Sequence, residues 1–159
     1  MDKGFSLIEL LVTTAMVGLL AGISVLSYQN YTGNAYRTQA TVELASIRNA
    51  VHMLEFDTGL SPGGIAIDPC VEGTELYLDT CAAGLLCNDG RFSNWSGPYI
   101  DMPMTDPWDN IYLFDSDYFC NPNITGCTNT DVVRTISTAG PNGVFNDYDS
   151  GEAVIVLCG

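Results

Sequence analysis

Basic residues are scarce in this sequence. Lysine and arginine together number 5, against 19 aspartates and glutamates in 159 residues, and the formal net charge is -14. The single lysine is Lys3, and four arginines are scattered along the rest of the chain: Arg37, Arg48, Arg91 and Arg134. Because binding to nucleic-acid phosphates needs clustered positive charge, this composition argues against a nucleic-acid partner. An acidic surface instead favours solubility and divalent cations.

Catalytic motifs are also lacking. His52 is the only histidine, and no nucleophile or ligand cluster lies near it in the sequence. The chain contains no nucleophile elbow, no triad spacing and no phosphate-binding loop. Since a reactive side chain needs a positioned partner, we predict that the protein is not an enzyme and that His52 is a partly exposed structural residue. A membrane-anchored enzyme is the alternative that these absences disfavour.

Charge is absent from the stretch that follows Glu9. The residues Leu10–Leu26 contain no other charged side chain. At about 1.5 Å per residue, a helix over Phe5–Leu26 covers roughly 33 Å, which is enough to span a bilayer core. Secretory signals usually have a shorter apolar region of about 7 to 15 residues, so the run predicts a membrane-spanning helix. A carboxylate at the edge of such a helix indicates a specific partner, whereas a generic anchor would leave Glu9 at the interface.

The helical pattern continues beyond Tyr31. Apolar residues recur at spacings of three and four and form one stripe: Ala40, Leu44, Ile47, Val51 and Leu54. Four charged residues lie off this stripe: Arg37, Glu43, Arg48 and Glu55. The pattern predicts one long helix, amphipathic in its second half, that packs on a domain. It should end near Asp57-Thr58-Gly59, where glycine can take the left-handed conformation of a helix C-terminus.

The remainder of the chain predicts a small β domain with long loops. Residues 59–89 are rich in turn-forming residues and contain one strand-like stretch, Glu75–Leu78. Further strand patterns are Ile111–Phe114, Val132–Thr138 and Ala153–Leu157. The predicted fold class is therefore α+β, with a long N-terminal helix packed on a small antiparallel sheet.

Six cysteines all follow the apolar segment: Cys70, Cys81, Cys87, Cys120, Cys127 and Cys158. An even number on the exported side predicts disulfides, with about 15 possible connectivities. We expect the adjacent pairs Cys81–Cys87 and Cys120–Cys127 to close loops, and Cys158 to bind Cys70. Zinc is the alternative, but these spacings are longer than those typical of zinc sites.

Turn-forming and aromatic residues alternate in two motifs, Trp95-Ser96-Gly97-Pro98-Tyr99 and Asp106-Pro107-Trp108-Asp109-Asn110. Asp106-Pro107 predicts a turn, and Trp108 is expected to cover the core. An architectural role is favoured over a sugar-binding platform.

An oxygen-rich segment separates the last two predicted strands. Gly140-Pro141-Asn142-Gly143 predicts a turn, and residues 146–152 form an acidic loop. Calcium binds about six to eight oxygens of carboxylates, amides and carbonyls. We therefore predict a calcium site from five residues: Asn142, Val144 through its carbonyl, Asp147, Asp149 and Glu152. A solvated acidic turn is the alternative, because the EF-hand pattern is missing.

The N-terminal sequence Lys3-Gly4-Phe5-Ser6-Leu7-Ile8-Glu9-Leu10-Leu11 resembles the class III signal of type IV pilins and type II secretion pseudopilins. The resemblance continues through Gly18, Tyr28 and Tyr31. It departs at Leu26, where many members have a proline. A kink at that point is therefore less expected in this chain.

This resemblance implies processing and assembly. A prepilin peptidase would cleave after Gly4 and methylate the new amino terminus at Phe5, and the functional glutamate of the family falls on Glu9. The implied organisation is a leader at residues 1–4, a transmembrane and assembly helix at 5–31, an amphipathic helical half at 32–58 and a globular β domain at 59–159. In an array of stacked helices, the Glu9 carboxylate would neutralise the Phe5 amine of a neighbouring subunit, since either charge is costly alone in an apolar medium.

Both turn motifs also resemble those of major pseudopilins, which bind calcium between their last two strands. The match in the tail is partial, because Asn142 stands where a turn aspartate is common. The sequence therefore predicts a structural subunit of a pilus-like filament. A type II secretion major pseudopilin is the favoured subtype, and a type IV major pilin is the alternative. A minor binding protein at a filament tip is the alternative of another class.

The resemblance implies several partners. These are copies of the same chain, the prepilin peptidase, an inner-membrane assembly platform and minor pilins or pseudopilins. The subunit would reside in the inner membrane, with its C-terminal domain in the periplasm, before it enters a periplasmic or extracellular filament.

Overall fold

The computed structural model describes residues 6–67, 73–127, 132–145 and 151–157, without the side chains of residues 24–30. It divides into two compact units, Met1–Tyr36 and Arg37–Gly159. One helix, α1, covers Leu7–Thr58 and contributes to both units. The long helix predicted from the periodicity is therefore confirmed.

The first unit consists of the N-terminal part of α1. Its large apolar side chains are exposed from Leu7 to Ile23. Within the described residues, no helix meets the combined length and hydropathy expected of a membrane span. The predicted span Phe5–Leu26 begins at a residue outside this description.

The described part of the second unit contains the C-terminal part of α1 and six short strands. Their bounds are β1 Leu60–Ser61, β2 Ile65–Ala66, β3 Glu75–Tyr77, β4 Leu113–Phe119, β5 Val132–Thr138 and β6 Ala153–Val156. Strands β3 to β6 form one antiparallel sheet in sequence order, and β1 pairs with β2 in a separate hairpin. This arrangement confirms the predicted α+β fold. The hairpin is an addition to the elements predicted from the sequence.

Strand limits differ slightly from the sequence patterns. Strand β5 has the predicted bounds, whereas β3 and β6 each end one residue early. Strand β4 starts at Leu113 and runs to Phe119. Ile111 instead forms an isolated bridge with Thr105 across the preceding turn. The turn therefore occupies the beginning of the predicted strand.

The apolar stripe of α1 forms one side of the core. All five of its residues are buried: Ala40, Leu44, Ile47, Val51 and Leu54. Leu44, Ile47, Val51 and Leu54 share one hydrophobic cluster with Phe114 of β4 and Ile136 of β5. Burial of these side chains stabilises the packing of helix on sheet, at roughly 1.5 to 3 kcal/mol for each large residue.

The helix ends as predicted. Gly59 has φ 72°, and its N–H donates to the carbonyl of Glu55 over 2.9 Å. A residue with a Cβ is disfavoured in this left-handed conformation, so glycine at this position permits the turn into β1.

Two of the predicted disulfides are formed. Cys81 bonds to Cys87, and Cys120 bonds to Cys127. The remaining predicted pair, Cys70–Cys158, lies outside the described residues. The two described bridges close short loops, which confirms their predicted role.

Candidate functional site

Glu9 lies in the first turn of α1 and caps the start of this helix. The backbone N–H of Ser6 donates to Glu9 Oε2 over 2.9 Å, and the N–H of Glu9 donates to the Ser6 carbonyl over 3.0 Å. This is half of a capping box, and a carboxylate is favourable near the positive end of the helix dipole. The sequence pattern Ser-x-x-Glu is the signal for this contact, which the spacing of apolar residues does not contain.

The surroundings of Glu9 are apolar and open. A shallow groove of about 330 Å³ is lined by Ile8, Glu9, Val12 and Thr13. The Glu9 carboxylate therefore lies beside the exposed apolar side chains of Ile8 and Val12. Gly4 and Phe5, the predicted processing residues, lie outside the described part of the chain. Pairing of Glu9 with the Phe5 amine therefore stays a prediction.

A buried ion pair joins the end of α1 to the sheet. Glu55 Oε1 lies 3.2 Å from Arg134 Nη2, and these side chains are 9% and 3% exposed. The Ser61 hydroxyl donates to Glu55 Oε1 and accepts a hydrogen bond from Arg134 Nη1. The helical pattern correctly places Glu55 off the apolar stripe. The structure shows that Glu55 is nevertheless buried. Its partner is distant in sequence, so periodicity could not identify the contact.

His52 is adjacent to this pair. Its Nδ1 atom lies 3.3 Å from Glu55 Oε2, and the side chain is half-exposed. This agrees with the predicted partly exposed position.

A second acid of the helix binds the core. The hydroxyl of Tyr112, a fully buried residue, donates to Glu43 Oε2 over 2.6 Å. Burial and the nearby Glu43 carboxylate raise the pKa of Tyr112 far above its usual value. Glu43 therefore satisfies a polar group that would otherwise be buried without a partner.

The Asp106 motif forms the predicted turn. Asp106 is buried, and its Oδ1 atom accepts hydrogen bonds from the N–H groups of Trp108 and Asn110 over 3.0 and 2.9 Å. The hydroxyl of Thr138, at the end of β5, donates to Asp106 Oδ2. Trp108 is half-buried on this turn. The carboxylate thus stabilises the turn and fixes it to the sheet.

Asn110 connects this turn to the segment predicted to bind calcium. Its Nδ2 atom donates to the Gly140 carbonyl over 2.7 Å. Gly140, Pro141 and Asn142 form a short 3-10 turn, followed by Gly143 with φ 72°. The two motifs are therefore in direct contact, although 30 residues separate Asn110 from Gly140.

The predicted calcium ligands are only partly described. Asn142 is exposed, and its Oδ1 atom accepts the N–H of Val144 over 2.9 Å. Glu152 is almost fully buried. Asp147 and Asp149 lie outside the description. Among the described residues, no group of three or more His, Cys, Asp or Glu side chains could hold a metal ion. These residues alone do not complete a calcium site.

The other aromatic motif packs on the core. Trp95 Nε1 donates to the Gly84 carbonyl over 2.6 Å, and its ring lies edge-on to Tyr99 with centroids 5.9 Å apart. The Tyr99 hydroxyl donates to Asp57 Oδ2 over 3.0 Å, which connects the motif to the last turn of α1. Both rings are partly buried against the core cluster. This geometry supports the architectural role rather than a sugar platform.

Comparison with known proteins identifies a motif and several relatives. Residues 1–25 match the family model of the prokaryotic N-terminal methylation motif. The chain is 42% identical over 49 residues to a fimbrial protein of Pseudomonas aeruginosa, covering 31% of this chain and 32% of that protein. It is 40% identical over 56 residues to the type IV major alpha-pilin of Moraxella bovis, covering 35% of each chain.

A longer match is to the type IV major fimbrial protein FimA of Dichelobacter nodosus. The identity is 35% over 89 residues, covering 56% of this chain and 54% of the relative. The chain thus spans between a third and about half of the length of these relatives. No solved structure matches the chain significantly. The motif and the relatives confirm the predicted resemblance to the type IV pilin family.

Proposed function

We propose that this protein is a structural subunit of a type IV pilus-like filament. The N-terminal methylation motif at residues 1–25 is the observation that carries the proposal. Its relatives are named as pilins and fimbrial proteins, which are structural rather than enzymatic. The subunit is inserted in the inner membrane, cleaved after Gly4, methylated at Phe5 and added to a helical array.

The geometry of α1 supports this mechanism. Large apolar side chains are exposed from Leu7 to Ile23, and burial against neighbouring helices would remove them from water. Glu9 lies among them with one carboxylate oxygen bound to the Ser6 N–H. When the leader is removed, Phe5 gains an ammonium group that can pair with the carboxylate of a neighbour. This pairing favours one axial stagger because it compensates both desolvated charges.

The filament type proposed first is a type IV pilus, because the relatives are named as type IV major pilins and fimbrial proteins. A type II secretion pseudopilin is the second candidate. It is favoured by the two aromatic turn motifs, which resemble those of pseudopilins, and by the Asn110 contact between the Asp106 turn and the last loop.

Calcium binding in the last loop is part of the second candidate. Asn142, Val144, Asp147, Asp149 and Glu152 would supply the oxygens, and the bound ion would screen the negative charge of the domain. The hydrogen bond from Asn110 Nδ2 to the Gly140 carbonyl supports the proposal, because it positions the start of this loop.

Mass spectrometry of the subunit in sheared filaments tests the function. We expect a mass that lacks residues 1–4 and carries one added methyl group at Phe5. Gly4→Ala should yield only the uncleaved precursor and no filaments. Gly33→Ala is a matched control, because it lies outside the assembly helix at residues 5–31 and a Cβ at this position meets no atom within 4 Å. Filaments built from uncleaved chains would contradict the proposal.

A further inference from the structure

Three acidic residues lie close together where strands β3 and β4 pair. Asp115 of β4 is 3% exposed, and Glu75 of β3 lies directly opposite it in the antiparallel register. Asp117 follows two residues later, and its N–H donates to Asp115 Oδ1 over 2.9 Å. On the other side, the residue paired with Asp115 is the uncharged Thr135 of β5. A buried carboxyl group therefore faces two further carboxyl groups.

The residue that precedes β3 is hydrogen-bonded to β4 beside this acidic group. The register of β4 against β5 shifts between Asp115 and Tyr118, which indicates a bulge. Ser116, within this bulge, binds Thr74 next to β3 by three hydrogen bonds. Its N–H donates to the Thr74 carbonyl over 3.0 Å, its Oγ donates to the same carbonyl over 3.1 Å, and the Thr74 N–H donates to Ser116 Oγ over 2.8 Å. Among the strands that the structure describes, β3 is at the edge of the sheet and pairs with β4 alone.

The environment of Asp115 favours its neutral form. Burial is the largest cause of a raised pKa at Asp115, and together with the Asp117 and Glu75 carboxyl groups it brings this pKa to about 6 against the hydrogen bond from the Asp117 N–H, which lowers it. Within the described residues, the charged groups that face Asp115 are Glu75 from β3 and Asp117 from β4, and both are acidic. Loss of the proton therefore places like charges directly opposite each other across two strands, which is destabilising.

We propose that Asp115 and Asp117 form a proton-dependent latch that holds edge strand β3 on the sheet. With Asp115 protonated, the carboxyl pair shares a hydrogen and the Ser116 contacts to Thr74 are retained. With Asp115 ionised, repulsion from Glu75 and Asp117 weakens the β3–β4 pairing. Because the folded state binds this proton more tightly than the unfolded chain does, the latch is strongest in acid and weakens as pH rises through about 6. The inference is independent of the proposed filament function.

Amide hydrogen exchange of the full chain in detergent micelles tests the latch. Protection factors at pH 5 and pH 8, corrected for intrinsic exchange, are compared for the amides of Thr74 and Ser116 and for Ile136 of β5. We expect protection at Thr74 and Ser116 to fall by about tenfold at pH 8, and protection at Ile136 to change much less. Asp115→Asn, which stays neutral at both pH values, should abolish the difference.

A matched control is Asp101→Asn, which neutralises an exposed acid and should retain the wild-type difference. If Asp115→Asn does not fold, Glu75→Gln provides the same test, because removing the opposing charge should reduce the fall in protection. The latch is refuted by equal protection at both pH values in the wild type. It is also refuted if neither Asp115→Asn nor Glu75→Gln reduces the difference.

Discussion

The guanidinium of Arg134 and the carboxylate of Glu55 form an ion pair with 3.2 Å between Nη2 and Oε1, and both side chains are buried. The pair joins the last turn of α1 to strand β5, and the Ser61 hydroxyl joins both to β1. A buried pair of this kind is weak evidence for net stability, but the loss of one partner leaves an uncompensated charge. The ion pair therefore gives a sharp test of the packing of this unit.

Glu55→Ala should lower the free energy of unfolding by about 3 to 5 kcal/mol, because it leaves Arg134 buried without its carboxylate. The measurement is chemical denaturation of the full chain in detergent micelles. Asp89→Asn is the matched control, since it breaks the exposed Arg91–Asp89 pair and should have little effect. The double variant Glu55→Leu with Arg134→Met should be less destabilised than Glu55→Ala. Equal losses in Glu55→Ala and Asp89→Asn would contradict the account.

Tyr112→Phe should destabilise the fold by about 1 to 3 kcal/mol, since it removes the hydrogen bond to Glu43 while retaining the buried ring. Tyr77→Phe alters a half-exposed tyrosine of β3 and should have a much smaller effect. Both are measured by the same denaturation experiment. An effect of Tyr77→Phe as large as that of Tyr112→Phe would show that the Glu43 contact contributes nothing specific.

Asn110→Ala should also destabilise the chain, by about 1 to 3 kcal/mol, because it removes the 2.7 Å hydrogen bond to the Gly140 carbonyl and weakens the Asp106 turn. The Gly140 carbonyl then keeps only the longer contact from the Gly143 N–H, at 3.4 Å. Asn123→Ala is an exposed control in the loop closed by Cys120 and Cys127. Thermal unfolding of the two variants gives the comparison. If Asn110→Ala unfolds like the control, the link between the two motifs is not important for stability.

Calcium should raise the melting temperature of the full chain, because the last loop is the proposed binding site for this ion. At millimolar calcium we expect an upward shift, because a ligand of the folded state stabilises by mass action. Asp149→Asn should remove the shift, whereas Asp101→Asn should retain it. An unchanged melting temperature in the wild type at millimolar calcium would exclude the proposed site.

Periodicity predicted the elements of this fold better than their contacts. The stripe from Ala40 to Leu54 identified the buried face of α1, because one helical face repeats every three or four residues. The hairpin β1–β2 has strands of two residues, which are too short to show an alternating pattern of apolar and polar residues. The Glu55–Arg134 pair was missed for a different reason, since a buried ion pair depends on tertiary contacts that a single helical pattern does not contain.

Local motifs predicted parts of the candidate sites. The two described disulfides and the Asp106 turn follow from residues close in sequence. The contact of Asn110 with Gly140 could not be predicted from local sequence, because it forms only when β4 pairs with β5 and brings these two segments together. The Ser6–Glu9 cap also follows from a pattern that is local in sequence, Ser-x-x-Glu, although it was not predicted.

The pairing of Glu9 with the Phe5 amine is the central claim, and filament yield tests it most directly. Wild type, Glu9→Ala and the control Thr13→Ala, on the same groove, are expressed in cells that lack the native subunit. Sheared filaments are counted by electron microscopy, and leader removal is measured in the membrane fraction. We predict that all three chains lose the leader but that Glu9→Ala assembles at a small fraction of the wild-type level. Normal filament yield from processed Glu9→Ala would contradict the account.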